Sequence, residues 1–387
     1  MQTKSSSRID VVDALRGFAV LAILIVHNIE HFIYGVYPTD TPHFLNVLDT
    51  GVMNSVFTLF GGKAYAIFAL LFGFTFYLQS NNQKLLGKDF GYRFIWRLVL
   101  LTLFATFNAL FFPGGDVLML FAIVGLVLFI VRNWSDRAVL ITAIIFTLQP
   151  IEWFHYIAYL IDASHQLPDY GVGELYGVVN EVTASGNFGD FLLCNATIGQ
   201  KASFMWAVGA GRVMQTAGLF LIGFYLGRKE MFCIDGDKVK TWIKILAISA
   251  VCYAPLNSLQ SLIMKGSALE QQTVGVIFDM WQKLSFTFVL VSAFVLLYQN
   301  ERFQRVTHNL KFYGRMSMTN YITQSILGAV VYFPIGLNLA QYCGYTVSLG
   351  IALIMFVAQV WLCRWWLKNH KQGPFEGLWH KLTWLKF

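Results

Sequence analysis

Residues 14–34 read ALRGFAVLAILIVHNIEHFIY. Nothing between Arg16 and His27 is charged or strongly polar, and the run is long enough to cross a bilayer as a helix, which takes roughly 20 largely apolar residues. Similar stretches follow near 54–79, 94–112, 116–132, 138–161, 206–227, 241–263, 276–298, 316–335 and 346–367. Composition agrees. Of 387 residues, 56% are hydrophobic and 13% charged, against about 25% charged in a soluble domain. A soluble core and a disordered chain are thereby excluded. With 8 Pro and 5 Cys, so are a collagen-like chain and a disulfide framework. The expected fold is an all-α, polytopic transmembrane bundle of about ten spans.

A net charge of +7 would ordinarily suggest nucleic acid, but the placement of the basic residues points to topology instead. With the N-terminus inside, the inner segments hold 23 of the 28 Lys and Arg residues, from Lys4 and Arg8 to Lys381 and Lys386. Both termini are expected in the cytoplasm, with the bilayer as partner and no nucleic acid. Arg16 and Gly17 open the first apolar run and no small-residue cleavage site follows before His27, so this span is expected to be retained. The outer segment 162–205 carries Leu175, Val178, Val179 and Val182 at helical spacing, which predicts a short amphipathic helix. It divides an N-terminal half, 1–205, from a C-terminal half, 206–387. Cys194 and Cys343 are the two cysteines that could meet on the outer side.

Ionisable groups inside spans are costly and mark candidate functional positions. Arg16 and His27 are eleven residues apart, about three helical turns and ~16 Å along the axis, and so share a face. An arginine can hold an anionic donor, and an imidazole with an ordinary pKa near 6.5 suits a general base. Asp13, Glu30 and His31 flank this face. Arg93 and Arg97, one turn apart, could clamp phosphates or serve as a topogenic cluster. Lys63 follows Gly61-Gly62 and could mark a kinked, water-lined site or snorkel along its long stem. Asp116 is placed to cap the fourth span, and Asp279 and Lys283 have the spacing of an intrahelical ion pair. Asn320 and Gln324, four apart, could bond a substrate or a neighbouring helix. Arg212 in Gly211-Arg212 with Thr216, and Arg315 in Gly314-Arg315 with Thr319, hint at an internal repeat of the kind transporters use. No Walker, dinucleotide-binding, nucleophile-elbow or zinc-helix sequence is present, and no metal site is expected.

Several strings carry a resemblance. These are Arg8-Ile9-Asp10 with Asp13 to Ala19, Leu71-Phe72-Gly73, Gly115-Asp116-Val117-Leu118, Gly223 to Arg228, Tyr313 to Tyr321 with Gln324-Ser325, and Gly373-Pro374-Phe375-Glu376 with Leu378-Trp379. Together they resemble the YeiB-like bacterial inner-membrane family, whose C-terminal signature is domain of unknown function 418. The N-terminal part is distantly similar to the transmembrane acyltransferase superfamily, which includes O-antigen acetylating enzymes and heparan-glucosaminide N-acetyltransferase. The resemblance implies a cytoplasmic-membrane location and acyl-CoA as co-substrate, with no covalently bound cofactor. It also implies Arg16, aided by Arg93 or Arg97, at the donor phosphates, and His27 as general base on an extracytoplasmic or lipid-linked acceptor. Two other functions stay open on the residues: a transporter or flippase of an amphipathic solute, and a structural protein that binds lipid. The sequence leaves the oligomeric state open, and it predicts a polar cavity lined by the first, second, third and ninth spans.

Overall fold

The computed structural model describes residues 9–33, 36–38, 41–112, 114, 116–233 and 235–385. Lys4, Arg8, Gly115 and Lys386 lie outside the described residues. Among the described residues all regular structure is helical.

Helix α1 (Asp10–Val26) ends in a π-helical turn, His27–His31. It is followed by α2 (His43–Leu59), α3 (Lys63–Leu85), α4 (Gly91–Ala109), α5 (Leu118–Val124) and α6 (Leu126–Val131). Next come α7 (Asp136–Thr147), α8 (Pro150–Ile161), α9 (Val172–Ser185), α10 (Phe188–Cys194) and α11 (Gln200–Gly209). The second half holds α12 (Arg212–Arg228), α13 (Gly236–Ile263), α14 (Ala268–Gln272) and α15 (Val274–Leu297). The chain then forms α16 (Glu301–Val306), α17 (His308–Arg315), α18 (Ser317–Tyr332), α19 (Tyr345–Trp366) and α20 (Pro374–Thr383). The amphipathic segment expected between 174 and 181 is α9. Cys194 and Cys343 are buried free thiols.

By length and composition, five of these helical segments can cross a membrane, or seven if each of two bent pairs counts as one span. The ten apolar stretches are therefore not ten uninterrupted helices. The fourth stretch is split at Gly125 into helices of seven and six residues. The ninth yields a helix of 16 residues, and α4 carries Arg93, Arg97 and Asn108 within its 19. α13 buries only Trp242 among its 28 residues. It leaves Ile243, Ile248 and Val251 exposed, a surface suited to lipid.

Three long-range constraints hold the bundle. The first is the crossing of α3 and α12. A Cβ on Gly73 would collide with the Phe220 carbonyl, and one on Gly223 with the Leu70 carbonyl, so the two backbones touch where side chains would keep them apart. Small residues allow this approach in membrane helices, where dispersion replaces the hydrophobic drive. Contacts of Tyr65 with Thr216, Gly73 with Phe220 and Tyr77 with Gly227 rise together in number. The two helices are therefore parallel. A second crossing pairs α1 with α17, where Gly17 faces the Leu310 carbonyl and Gly314 the Asp13 carbonyl. Lys311 Nζ bonds Asp10 Oδ2 at 2.8 Å beside it.

The third constraint is a set of caps supplied from distant segments. Glu376 accepts the backbone N–H groups of Met318 (2.7 Å) and Thr319 (3.0 Å) with one oxygen and the Thr319 hydroxyl (2.6 Å) with the other. It thereby satisfies the first turn of α18, whose own first residues supply no such acceptor. Burial pushes the Glu376 carboxyl above its ordinary range. Asp49 does the same for α19, accepting from Thr346 N at 2.7 Å.

Two stability predictions follow from this geometry. Gly73→Ala should destabilise the detergent-solubilised protein by about 2 kcal/mol, the scale of overpacking. Gly350→Ala, whose Cβ would meet nothing within 4 Å, should be neutral or mildly stabilising; equal melting temperatures for the two would refute the crossing as a constraint. Glu376→Ala should cost about 2 kcal/mol through the orphaned donors of α18. Glu376→Gln keeps an acceptor oxygen for those N–H groups and should cost less than half as much, and a reversed order in thermal unfolding would show that the cap is not what binds α20.

Candidate functional site

The second and sixth apolar stretches are each interrupted by a glycine in the left-handed region. Gly62 has φ +72° and Gly211 has φ +67°, conformations that cost a glycine nothing. Each glycine is followed at once by a basic residue that opens a helix: Lys63 begins α3, and Arg212 begins α12 after a 77° bend from the preceding helix. At Gly61-Gly62 a three-residue turn, Phe60–Gly62, separates α2 from α3. The geometric counterpart of Gly211-Arg212 is Gly62-Lys63, not Gly314-Arg315. Gly314 lies inside helix α17 and is spent on the crossing with Gly17. A further break at Leu148-Gln149 bends α7 against α8 by 49°.

Because α3 and α12 are parallel, their N-terminal ends lie together, and with them the positive ends of two helix dipoles. A cavity of about 460 Å³ opens there. Lys63 and Arg212 are on its wall, as are Lys283 and Asp279 of α15. Arg212 and Lys283 converge over Gly62, where a Cβ would lie 2.9 Å from both an Arg212 guanidinium nitrogen and the Lys283 stem. Lys283 is tied to Asp279 at 2.5 Å, the ion pair expected from their spacing. Lys63 Nζ donates to the Phe57 carbonyl at 3.2 Å. Arg212 donates to Gln215 Oε1 at 2.9 Å, and its guanidinium lies 5.2 Å from the Tyr65 ring and 5.7 Å from that of Trp206.

The opposite wall is the π-helical turn. One residue is inserted per turn there, a distortion frequent at functional sites, and His27, Glu30 and His31 all reach the cavity. His27 is only 6% exposed, and its Nδ1 has no hydrogen-bond partner. Its ring packs against Phe112 (4.5 Å between centroids), His31 (5.3 Å) and Tyr321 (5.9 Å). His31 Nδ1 lies 3.5 Å from Glu30. Asp116 completes this side and caps α5, accepting from Leu118 N at 3.1 Å and Met119 N at 3.4 Å. Asn108 Nδ2 also donates to it at 3.2 Å.

The other sequence-derived candidates lie away from this cavity. Arg16 is paired with Asp13 at 2.9 Å and donates to Thr75 Oγ1 at 3.1 Å, so the face it shares with His27 does not bring it to the same opening. Arg93 donates to the Thr383 and Leu385 carbonyls at 3.0 and 2.9 Å. Arg97 donates to Thr383 Oγ1 at 3.3 Å and lies 4.1 Å from the Trp379 ring. This pair holds α20 against α4. Arg315 donates to the Lys371 carbonyl at 3.1 Å. Asn320 bonds Tyr313 O at 2.9 Å and Cys363 Sγ at 3.3 Å, joining α17, α18 and α19. Gln324 is fully buried, with neither amide atom bonded, and is not on the cavity wall.

The expected third and ninth walls are therefore replaced by α13 and α15. Tyr253, Asn257 and Gln260 of α13 line the cavity, and Gln282 donates to Asn257 Oδ1 at 3.1 Å. Sequence reading passed over these residues. The available signal was the spacing of Asn257 and Gln260, three apart and following the apolar run 245–256 of α13.

Residues 226–386 match the family described as "Protein of unknown function (DUF418)". Over the whole length, the chain is similar to the uncharacterized protein YxaH of Bacillus subtilis (strain 168), 25% identical across 100% of this chain and 96% of that protein. It is also similar to the uncharacterized protein YeiB of Escherichia coli (strain K12), 27% identical across 96% of this chain and 95% of the other. An uncharacterized 39.9 kDa protein of Bacillus acidopullulyticus is 25% identical, with 97% and 94% covered. No solved structure matches the chain. The quoted glycines and acids of α1, α3, α12, α17 and α20 thus sit at the crossings and caps of a bundle, and the chain is similar over its length to YeiB and YxaH and over 226–386 to the DUF418 family.

Proposed function

We propose that this chain is a multi-pass protein of the bacterial cytoplasmic membrane that transfers an acyl group from a cytoplasmic acyl-CoA to an acceptor held in the cavity. The observation that carries the reading is His27: a buried imidazole with a bare Nδ1, on the wall of a cavity large enough for a small substrate. In this reading the neutral imidazole takes the proton of an acceptor hydroxyl or amine as that atom attacks the thioester carbonyl. The tetrahedral intermediate then expels the CoA sulfur, which takes the proton back from the imidazolium. One ester or amide forms, one thioester breaks, and no redox partner is needed. Packing against Phe112 and Tyr321 excludes water from one side of the ring and fixes its plane. Arg93 and Arg97 are engaged with α20 and are assigned no part in donor binding. Arg16, paired with Asp13 and bonded to Thr75 away from the cavity, is likewise assigned no part in donor binding.

A second reading, transport of an intact solute, is favoured by one observation. Broken helices whose N-terminal ends meet at a cavity are how many transporters hold an anionic substrate, and α3 and α12 are arranged in this way.

The two readings separate in one experiment. Purified protein supplied with acetyl-CoA and longer acyl-CoA thioesters, and with a membrane-lipid extract as acceptor, should release CoA thiol. His27→Ala should slow this by about 10²–10⁴-fold, the usual contribution of a positioned base. Full activity in His27→Ala rejects the mechanism. Absence of thiol release alongside protein-dependent flux of a solute into proteoliposomes establishes the transport reading in its place.

A further inference from the structure

We infer that Lys63, Arg212 and Lys283 form a subsite for a phosphate group carried by an amphipathic ligand. In the acyl-transfer reading this ligand is the acceptor, and only that label rests on the reading; the subsite is a matter of binding and is tested without any acyl donor.

Three cations from three different helices line one cavity: Arg212 and Lys283 meet over Gly62, whose missing side chain leaves room for them, and Lys63 stands on the same wall. Cations held this close repel one another, and in a low-dielectric bundle that repulsion is costly unless an anion offsets it. Among the described residues one of the three makes an ion pair: Asp279 answers Lys283. Among the described residues Lys63 and Arg212 make no ion pair, and their polar contacts are neutral oxygens of Phe57 and Gln215. Of the remaining acids of the wall, Glu30 lies 3.5 Å from His31 and within electrostatic reach of Lys283 without pairing with it, and Asp116 is bonded to the backbone N–H groups of α5. The parallel N-terminal ends of α3 and α12 add two positive dipole ends at the same place.

The number and spread of the cations select the anion. A carboxylate has one charge and two oxygens, and a single guanidinium fork satisfies it. A phosphate monoester carries up to two charges on three terminal oxygens, which calls for donors from several directions. The Tyr65 and Trp206 rings hold the Arg212 fork in place for one edge, while Lys63 and Lys283 supply point charges for the rest. The remaining lining is apolar where Ile23, Val26, Phe57, Phe60 and Phe204 face the cavity, so the group that bears the phosphate is expected to be partly apolar.

The test uses the full chain in maltoside micelles, which contain no phosphate. Dioctanoyl phosphatidic acid, glycerol 3-phosphate, inorganic phosphate and octanoate are titrated separately, and Kd is read from native mass spectra and from thermal shifts. At least one phosphate-bearing probe should bind more tightly than octanoate, and Lys63→Gln and Arg212→Gln should each weaken it at least tenfold. Arg212→Lys, which keeps the charge and controls for folding, should weaken it less than Arg212→Gln, and Lys240→Gln on the exposed start of α13 should leave it unchanged. Binding of the lipid alone identifies a membrane headgroup as the source of the phosphate, and equal binding of glycerol 3-phosphate identifies a soluble ester. No binding of any phosphate probe, tighter binding of octanoate, or an unchanged Kd in both glutamine variants overturns the subsite. Loss of binding in these variants with CoA release absent in the unsubstituted protein would retain the subsite and reject acyl transfer.

Discussion

The close crossing of α3 and α12 is the contact on which the rest of the site depends. Gly73 and Gly223 let two backbones meet, and that contact sets the parallel course that brings the starts of both helices to one place. Were either glycine replaced by a larger residue, the helices would separate by the width of a side chain. Lys63, Arg212 and Lys283 would then no longer face a common volume. The electrostatics of the cavity are thus a consequence of packing some ten residues away along each helix.

The two halves of the bundle are joined by contacts of a different kind. Glu376 caps α18 from a segment nearly sixty residues later in the chain, and Arg93 and Arg97 of α4 hold the last turn of α20. In lipid an unsatisfied helix end is expensive, so a cap supplied by a distant residue fastens one element to another more firmly than a local cap could. This explains why strings far apart in the chain, Tyr313 to Tyr321 and Gly373 to Glu376, act as one structural unit. Gly373 is required there because a side chain would collide with Glu376 itself.

The same economy places polar groups around His27. The π-helical turn widens α1 at the level where its side chains meet the cavity, and the aromatic rings of Phe112 and Tyr321 hold the imidazole without bonding its Nδ1. The break at Gly62 and the insertion at His27 are two local departures from ideal geometry, and the site lies between them.

What the sequence by itself determined was whatever depends on local composition. Runs such as 14–31 and 346–366 are helical because apolar residues in lipid must satisfy their own backbone. Asp116 caps α5 because its side chain reaches the next turn, Asp279 pairs with Lys283 because they are four apart on one helix, and 174–182 is amphipathic by its spacing. The candidates His27, Lys63 and Arg212 were legible as charged or titratable residues in apolar surroundings. Only the tertiary structure decided which of them belong together. Arg16 and His27 share a helix face yet meet different neighbours, and Arg93 and Arg97 have the spacing of a phosphate clamp yet are committed to α20. Lys63, Arg212 and Lys283 are separated by up to 220 residues and meet because two glycines permit a crossing. Charge in a sequence states a cost, and the packing of distant helices decides what offsets it.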